Sequence, residues 1–476
     1  MSLSCWCKVT LAGLVAAGCL HAQRDTGSIQ GTVTDGSGGV VPRAKVTIVS
    51  EGTGLTTSME TRDDGTFIFT PIRIGTYTIE AVFQGFQKYR RQNITVNIQQ
   101  QLSLDLVLTP GELTQTVEVT TDVPILQTQS GSTGEVIEQK SIVNLPLNSR
   151  NYTFLARLTT GVTHGQPEGR GLNASGWFAA NGTRPAQNNY LLDGIDNNSN
   201  NVDFLSGAAF VLRPPIDAIQ EFKLQTSAFS AEFGRAGGAV LNATLRGGSN
   251  QYHGTLWEFL RNEKLDAADF FANANPRPGQ DPRGPYKQNI FGAAGGGYIV
   301  RNKTFWFADY EGTRIRQAFP ALATVPTALQ RSSGFTNFSD LIGLQSGTRT
   351  DALNRVFPLG TIFDPSTTRQ VGPGARDWIR EPFPGNVIPA SRLNPNAVKL
   401  MQLYPAPTGP GLNANYQTNR GSSTDVNAFD IRVDHNFSAK DQLFVRYSHS
   451  NREAFRPGPF EGIADGGGFN DGNEST

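Results

Sequence analysis

Period-two alternation of apolar and polar residues constrains the fold of this chain more than any other feature. It recurs in short segments such as GTVTD (31–35), TFIFT (66–70) and LSLDLVL (102–108). Turn signals rich in Gly and Asp separate these segments, and the series ends at Thr109-Pro110-Gly111. Alternation of this kind is typical of strands that bury one face. Six or seven such strands in about 80 residues predict a small β-sandwich over 27–109.

The same region resembles the carboxypeptidase regulatory-like domain. The resemblance rests on Gly31-Thr-Val-Thr-Asp35, Val41-Pro42-x-Ala44-x-Val46 and the run Asp64-Gly65-x-Phe67-x-Phe69-x-x-Ile72-x-x-Gly75-x-Tyr77-x-Ile79. It implies a transthyretin-like accessory module without catalytic residues. Two roles stay open for this module, a rigid spacer or docking unit and a ligand-binding sandwich similar to folds that bind sugars.

A glycine-dense corner joins two strand segments in the middle of the chain. Residues 216–254 read IDAIQEFKLQTSAFSAEFGRAGGAVLNATLRGGSNQYHG, with apolar punctuation at Ile219, Phe222 and Leu224 before the corner and a β-branched run, 240–245, after it. Glycines occur where backbones approach closely or take positive φ. The pattern predicts two strands packed tightly on a larger sheet.

The preceding segment predicts a helix and an Asx-rich turn. The helix is expected to open in LPLNSRN (145–151), with Asn148 or Ser149 as its cap. Asn189–Asn198 is predicted to be a strand that runs into a turn containing Asp193 and Asp196. A calcium loop is the alternative, but the EF-hand spacing is absent and Asx residues occur at turns without metal. We therefore predict no metal site.

Longer alternating segments occupy the region 251–476. Phe429, Ile431 and Val433 alternate with Asp430, Arg432 and Asp434, and Leu443, Val445 and Tyr447 form a second apolar series. Strands with charges on one face fit a barrel with lipid outside and a polar lumen. A soluble sandwich alternates in the same way, but Trp, Phe and Tyr at the strand ends favour a membrane. Residues 313–425, rich in Pro, Gly and Asn, predict a long extracellular loop with a helix at 396–404.

Several motifs together resemble the Oar-like branch of TonB-dependent outer-membrane transporters. They are LPLNSRNY (145–152), NNYLLDGIDNN (188–198), the stretch 216–254 and WEFLRNEKLDA (257–267). The resemblance implies a mainly β chain: the sandwich, an α+β plug over 122–250 and a partial transmembrane barrel over 251–476. By the same resemblance, six residues belong to the core sheet of the plug and its contact with the barrel wall, namely Glu232, Gly234, Gly237, Gly238, Asn242 and Arg246.

The connector 111–121 contains a short extended run. Its residues Thr116, Val117, Glu118, Val119 and Thr120 resemble a degenerate TonB box, the segment that such transporters offer to a periplasmic energy-coupling protein. One more ordinary strand is the alternative interpretation. An exposed, flexible strand here would pair edge-on with a partner sheet through backbone hydrogen bonds.

The N-terminus predicts export. Lys8 precedes an apolar run, Val9–Leu20, and Ala22 ends a signal-peptidase site, which gives a signal peptide over 1–22. A lipoprotein signal ending at Cys19 is the alternative. All three cysteines lie in this segment, so we expect none in the mature chain. The expected location is the outer membrane, with the sandwich in the periplasm.

The expected barrel is incomplete. Transporters of this family have 22 strands, which need roughly 220 residues in strands alone, and we count about five strands after residue 250. An open sheet of that size would expose unpaired edges to lipid. We therefore expect the sequence to be a C-terminally truncated fragment.

Catalysis and nucleic-acid binding are not predicted. The sequence has no Gly-x-Ser-x-Gly, phosphate-loop or His-Glu-x-x-His motif, and 41 basic residues balance 41 acidic ones. The resemblance implies import of a large solute (an oligosaccharide, peptide or metal chelate) driven by the proton-motive force, without a cofactor. The expected partners are a TonB-type protein, outer-membrane lipid and an unknown solute. A secreted or surface-attached sandwich that binds carbohydrate or protein is the alternative.

Overall fold

Three units follow one another along the described part of the chain. The computed structural model describes residues 26–112, 116–119, 131–147, 150–164, 178–199, 210–234, 236–268, 270–274, 281, 283–465 and 471–475. The predicted signal peptide and Thr120 lie outside these residues. We call the three units the sandwich (26–119), the plug-like unit (131–250) and the wall (the six-stranded sheet within 253–475).

The sandwich contains nine strands in two sheets. They are β1 (Thr26–Asp35), β2 (Lys45–Ser50), β3 (Thr56–Glu60), β4 (Thr66–Arg73), β5 (Gly75–Val82), β6 (Lys88–Val96), β7 (Gln101–Ser103), β8 (Leu106–Leu108) and β9 (Thr116–Val119). One sheet combines β1, β4, β7 and β8, and the other has the order β3-β2-β5-β6-β9. Alternate side chains, including Ile29, Val46, Phe67 and Ile79, form the buried core. The alternation in the sequence predicted this architecture because each strand buries one face.

A mixed five-stranded sheet forms the plug-like unit. Its elements are β10 (Thr133–Glu138), α1 (Gln139–Asn144), β11 (Val162–His164), β12 (Phe178–Ala180), β13 (Asn189–Leu192), β14 (Ile195–Asp196), β15 (Ile219–Ser227) and β16 (Val240–Leu245). The sheet order is β10-β15-β16-β13-β14, and β11 pairs separately with β12. The strands β15 and β16 flank the glycine corner and pair in antiparallel fashion. Their inward side chains share a core with Ile142, Tyr152 and Tyr190.

The predicted helix begins later than expected and is a 3-10 helix, Tyr152–Leu158. Arg150 takes a positive φ of 48°, which turns the backbone away from helical geometry just before this segment. The N-cap is therefore Asn151, whose Oδ1 accepts a hydrogen bond from Thr153 N at 3.1 Å. The predicted caps Asn148 and Ser149 lie outside the described residues.

The wall is an antiparallel sheet with the order β17-β18-β19-β24-β25-β26. The elements of this region are β17 (His253–Asn262), α2 (Phe270–Ala274), β18 (Tyr286–Val300), β19 (Thr304–Ala323), α3 (Ala328–Ser332), β20 (Thr348–Thr350), β21 (Val356–Pro358), β22 (Phe363–Gln370), β23 (Trp378–Pro382), α4 (Pro395–Leu403), β24 (Tyr416–Asn436), β25 (Gln442–Phe455) and β26 (Asp471–Ser475). On β24, Asp430 and Arg432 are buried against the plug-like unit whereas Ile431 and Val433 are exposed on the opposite face. This confirms the predicted inward and outward faces.

The predicted loop 313–425 is shorter than expected. Strand β19 continues to Ala323 and pairs with β24 from Tyr416 onward, so the connection spans 324–415. The composition of the region did not reveal this extension. The ends of β19 and β24 pair through their backbone groups, although more than 90 residues of sequence separate them. The connection contains two hairpins (β20–β21 and β22–β23) and the helices α3 and α4. No helix in the described ranges is long and apolar enough to cross a membrane.

We expect arginine on the outward face of the wall to cost stability according to depth. Tyr447 and Leu443 are 60% and 51% exposed on β25, and Leu443 lies next to the turn that precedes the strand. In lipid, arginine costs about 2–4 kcal/mol at the bilayer centre and about 0–1 kcal/mol near its surface. In the full gene product, Tyr447→Arg should therefore lower the yield of heat-modifiable protein in outer membranes more than Leu443→Arg. Equal yields would contradict a lipid-facing assignment.

Candidate functional site

The predicted partner-binding segment lies on the sandwich. Thr116–Val119 form β9, which pairs in parallel with β6 from Lys88 to Arg91. The backbone before it is also tied down, because Gly111 N donates to Gly85 O at 3.1 Å. The segment was expected to be an exposed, flexible strand. The structure differs because the edge of β6 offers backbone donors and acceptors that β9 satisfies.

The glycines of the predicted plug motif pack within the plug-like unit. A Cβ atom at Gly238 would lie 2.5 Å from Asn188 Oδ1 and 2.7 Å from Thr183 Oγ1. A Cβ atom at Gly237 would make only ordinary contacts, and these are with the same turn. The expected close approach to the wall is therefore not made by these glycines.

Three other motif residues occupy different environments in the same unit. Glu232 and Gly234 are exposed, and Gly234 O accepts a hydrogen bond from Asn189 Nδ2 at 2.9 Å. Asn242 is buried in the middle of the sheet, where its Oδ1 accepts from Gly194 N at 3.3 Å. Asn242 therefore supports the turn that follows β13.

Contact with the wall is made by Arg246 and by a glycine two residues later. The Arg246 guanidinium lies over the Phe307 ring, 5.7 Å from its centroid, and burial lowers the pKa of this arginine. A Cβ atom at Gly248 would lie 2.4 Å from Trp306 O and 2.5 Å from Gly297 O. Sequence reasoning assigned Arg246 to this contact but missed Gly248, although both stand in the run RGGSN that ends the predicted strand.

A series of ion pairs, which we call the junction network, joins all three units. Arg73 of the sandwich donates Nη1 to Asp434 Oδ1 on β24 at 2.7 Å. Asp434 Oδ2 lies 3.0 Å from Arg432 Nε on the same strand. Arg432 Nη1 lies 3.4 Å from Asp193 Oδ1 of the plug-like unit, and Arg446 Nε on β25 lies 3.2 Å from Asp193 Oδ2.

Asp193 is the innermost member of the junction network. Its side chain is fully buried, and its Oδ1 also accepts from Leu245 N at 2.9 Å. Burial raises the pKa of Asp193, whereas Arg432 and Arg446 oppose that rise. Sequence reasoning placed Asp193 in an Asx turn, rejected a calcium loop there and did not predict an ion pair. The alternation at 430–434 indicated charges that face inward, but nothing local identified their partner.

A second buried cluster connects the LPLNSRNY motif to the wall. Arg150 contacts Asp217 through Nη2, and its Nε lies 3.2 Å from Glu311 Oε2 on β19. The same guanidinium lies over the rings of Trp257 and Phe259, at 5.3 and 4.3 Å from their centroids. Arginine suits this position because its planar group stacks on aromatic faces while it pairs with carboxylates.

The sandwich is docked on the plug-like unit through backbone groups of its turn 97–100. Ile98 N donates to the Glu221 carboxyl group, and Lys223 Nζ donates to Gln99 O at 3.3 Å. Burial raises the pKa of Glu221 to about 7; the Ile98 N–H lowers it and Glu138 raises it further. This contact places a titratable carboxyl group between two units.

A cavity of about 640 Å³ lies at the junction of the sandwich, the plug-like unit and the wall. Its lining includes Arg73, Arg246, Asn250, Arg432 and Asp434. The volume falls within the range of small-molecule sites, about 300–1,000 Å³, and the lining carries both signs of charge. Within the described residues, no group of three or more His, Cys, Asp or Glu side chains is placed to hold a metal ion.

Comparison with known proteins agrees with this architecture. The sequence matches an outer membrane beta barrel domain over residues 244–476 and a carboxypeptidase regulatory-like domain over residues 28–109. It is also 26% identical over 318 residues to the TonB-dependent transporter Oar of Myxococcus xanthus. The chain is a homologue of Oar. The alignment covers 63% of the chain but 28% of Oar, so the chain spans little more than a quarter of this relative.

Solved receptor structures are similar over part of their length. The siderophore receptor PirA from Acinetobacter baumannii is 13% identical and aligns over 73% of the chain and 44% of its own, with a TM-score of 0.33. The outer membrane transporter YddB from Escherichia coli is 13% identical over 68% and 49%, with a TM-score of 0.31. The domain matches and the Oar homology confirm the predicted family resemblance and indicate the outer membrane as the location.

Removal of the Asp193 charge should destabilise the Oar homologue. Asp193 has a positive φ of 51°, which Asn also tolerates, so Asp193→Asn preserves the turn. Arg446 would lose its buried carboxylate partner and Arg432 would keep Asp434, at a cost of up to about 3–5 kcal/mol. Asp196→Asn is the matched control because Asp196 is exposed on β14, directly after the same turn, and such changes stay within about 0.5 kcal/mol. Chemical denaturation of the detergent-solubilised gene product measures both; equal shifts would contradict the network.

Docking of the sandwich should weaken as the pH rises through neutrality. The Glu221 pKa of about 7 exceeds the ordinary 4.5 of a solvated carboxyl group. If undocking returns Glu221 to solvent, docking is therefore strongest below about pH 4.5 and loses stability as the pH rises through 7. This rise in the Glu221 pKa corresponds to a free-energy difference of about 3 kcal/mol between the protonated and ionised forms. Glu221→Gln should abolish this dependence, whereas Glu135→Gln, exposed on the adjacent strand, should retain it. Limited proteolysis between the two units at pH 5 and pH 8 provides the measurement, and identical profiles for both variants would refute the assignment.

Proposed function

We propose that the chain is part of a TonB-dependent outer-membrane transporter that imports a large solute, such as an oligosaccharide, a peptide or a metal chelate. The inner-membrane proton-motive force powers import through a TonB-type protein, because a barrel in the outer membrane has no energy source of its own. The homology to Oar supports this function, although it covers only part of that protein.

The observation that carries the proposal is the two-sided character of the wall. Its outward face exposes apolar side chains such as Leu256, Val445 and Tyr447. Its inward face instead buries Asp430 and Arg432 against the plug-like unit. A sheet of this kind suits lipid on one side and a polar, occupied lumen on the other. A secreted, soluble sandwich would rarely expose an apolar face of this size to water.

The contacts of the plug-like unit suit a body that moves during transport. Two of its main ties to the wall are charged, namely Asp193 with Arg432 and Arg150 with Glu311. Charged groups that separate regain hydration, whereas separated apolar surfaces do not. Most of the unit's apolar core is its own, and the wall contributes Ala294 and Phe307, so a shift against the wall exposes only the part of the core that these two residues cover. Movement of this unit opens a path along the inward face of the wall.

The energy-coupling protein acts on residues 116–120. These residues precede the plug-like unit in the chain, so a pull on them is transmitted along the connector to β10. Backbone pairing is the expected mode of attachment, because strand addition requires an extended segment rather than a specific set of side chains.

Deletion of residues 116–120 tests the proposal. In the full gene product it should reduce binding of the purified periplasmic domain of the TonB-type protein at least tenfold, because the paired backbone is removed. Deletion of residues 126–130 shortens the same connector equally and should leave binding within about twofold. Isothermal titration calorimetry on detergent-solubilised protein measures both. Outer-membrane fractionation is the companion assay. Equal binding by the two deletions would refute the role of residues 116–120, and protein soluble without detergent would favour the secreted alternative.

A further inference from the structure

The sandwich holds the partner-binding strand at the end of one of its sheets. In the order β3-β2-β5-β6-β9, strand β9 has one neighbour, β6, among the strands that the structure describes. The register runs over four residue pairs, from Lys88↔Thr116 to Arg91↔Val119. Backbone donors and acceptors of a strand alternate between its two sides. Pairing with β6 therefore uses one side of β9 and leaves the other for a further strand.

The position of β9 is fixed relative to the other units because the sandwich itself is attached to them. Arg73 pairs with Asp434 on the wall, and Asn250 N donates to Gly52 O at 2.9 Å. The contact of Glu221 with Ile98 ties the same sandwich to the plug-like unit. A strand held in this way has already lost much of the backbone freedom that binding would otherwise remove.

We propose that the sandwich is a presentation platform: it holds β9 as a preformed edge strand, and the energy-coupling protein adds its own strand to the open side while β9 stays paired with β6. This inference rests on the proposed function and gives the sandwich a role in it. The partner is a periplasmic protein with an exposed strand of its own. Preorganisation of β9 favours this mode over displacement from β6, because displacement breaks backbone pairs before new ones form.

A disulfide between β6 and β9 distinguishes strand addition to β9 from displacement of β9 from β6. Arg90 and Glu118 are paired in the register, and paired positions on neighbouring strands lie about 4.8 Å apart, within reach of a disulfide. The variant Arg90→Cys/Glu118→Cys is exported in the full gene product, and each single-cysteine variant is a control. Mass spectrometry detects the cross-link. Calorimetry then measures binding of the purified periplasmic TonB-type domain before and after reduction.

The platform predicts that the cross-link forms and that the oxidised protein binds as tightly as the reduced one or about two- to fivefold more tightly. Loss of binding on oxidation, with recovery on reduction, would overturn the proposal in favour of displacement. Absence of the cross-link would also overturn it, because β9 would then not be held by the sandwich. If the cross-link forms but neither the parent chain nor any variant binds the domain, the proposed function fails, and the platform fails with it.

Discussion

Asp193 and Arg432 meet where the plug-like unit packs on the wall, and the fully buried Asp193 carboxylate depends on arginines that the wall supplies. An isolated buried charge costs several kcal/mol, and partners recover that cost only with good geometry. Asp193 forms ion pairs with Arg432 and Arg446 and accepts a hydrogen bond from the Leu245 N–H. The position of the turn after β13 relative to β24 and β25 is thereby determined. The placement of Arg73 and of the sandwich follows, because Asp434 is shared between Arg73 and Arg432.

Local pattern was sufficient to predict the elements but not the contacts between them. Alternation alone predicted the sandwich strands and the two faces of β24, because the side-chain period of a strand depends only on its own sequence. The apolar residues before the glycine corner and the β-branched run after it predicted β15 and β16 in the same way. The partners of Gly238 and Gly248 are distant in sequence, however, and a glycine carries no sign of what it approaches. Sequence alone therefore could not indicate that Gly238 packs against a turn and that Gly248 packs against the wall.

The connector is a further case in which the sequence predicted an element but not its partner. Its extended character was evident from the sequence, but its pairing with β6 was not, because β-augmentation uses backbone groups that every residue possesses. The charged residues of the wall were likewise predicted to face inward without any indication of Asp193 as their partner. The sequence placed Asp193 in a turn but did not indicate its ion pairs, since a carboxylate that pairs with a distant arginine looks like any other turn aspartate in one sequence.

The strengths of these contacts imply an order of separation under load. The tie between the sandwich and the wall is the pair Arg73–Asp434, in which the arginine side chain is 31% exposed and the aspartate side chain 4%, so water can solvate the arginine as the pair separates. The ties of the plug-like unit to the wall are almost fully buried, as at Asp193 with Arg432. Under the proposed function, a pull on β9 therefore frees the sandwich from the wall before it moves the plug-like unit. A strand that remained paired with β6 would shift the sandwich against the wall and widen the junction cavity before the path through the wall opens.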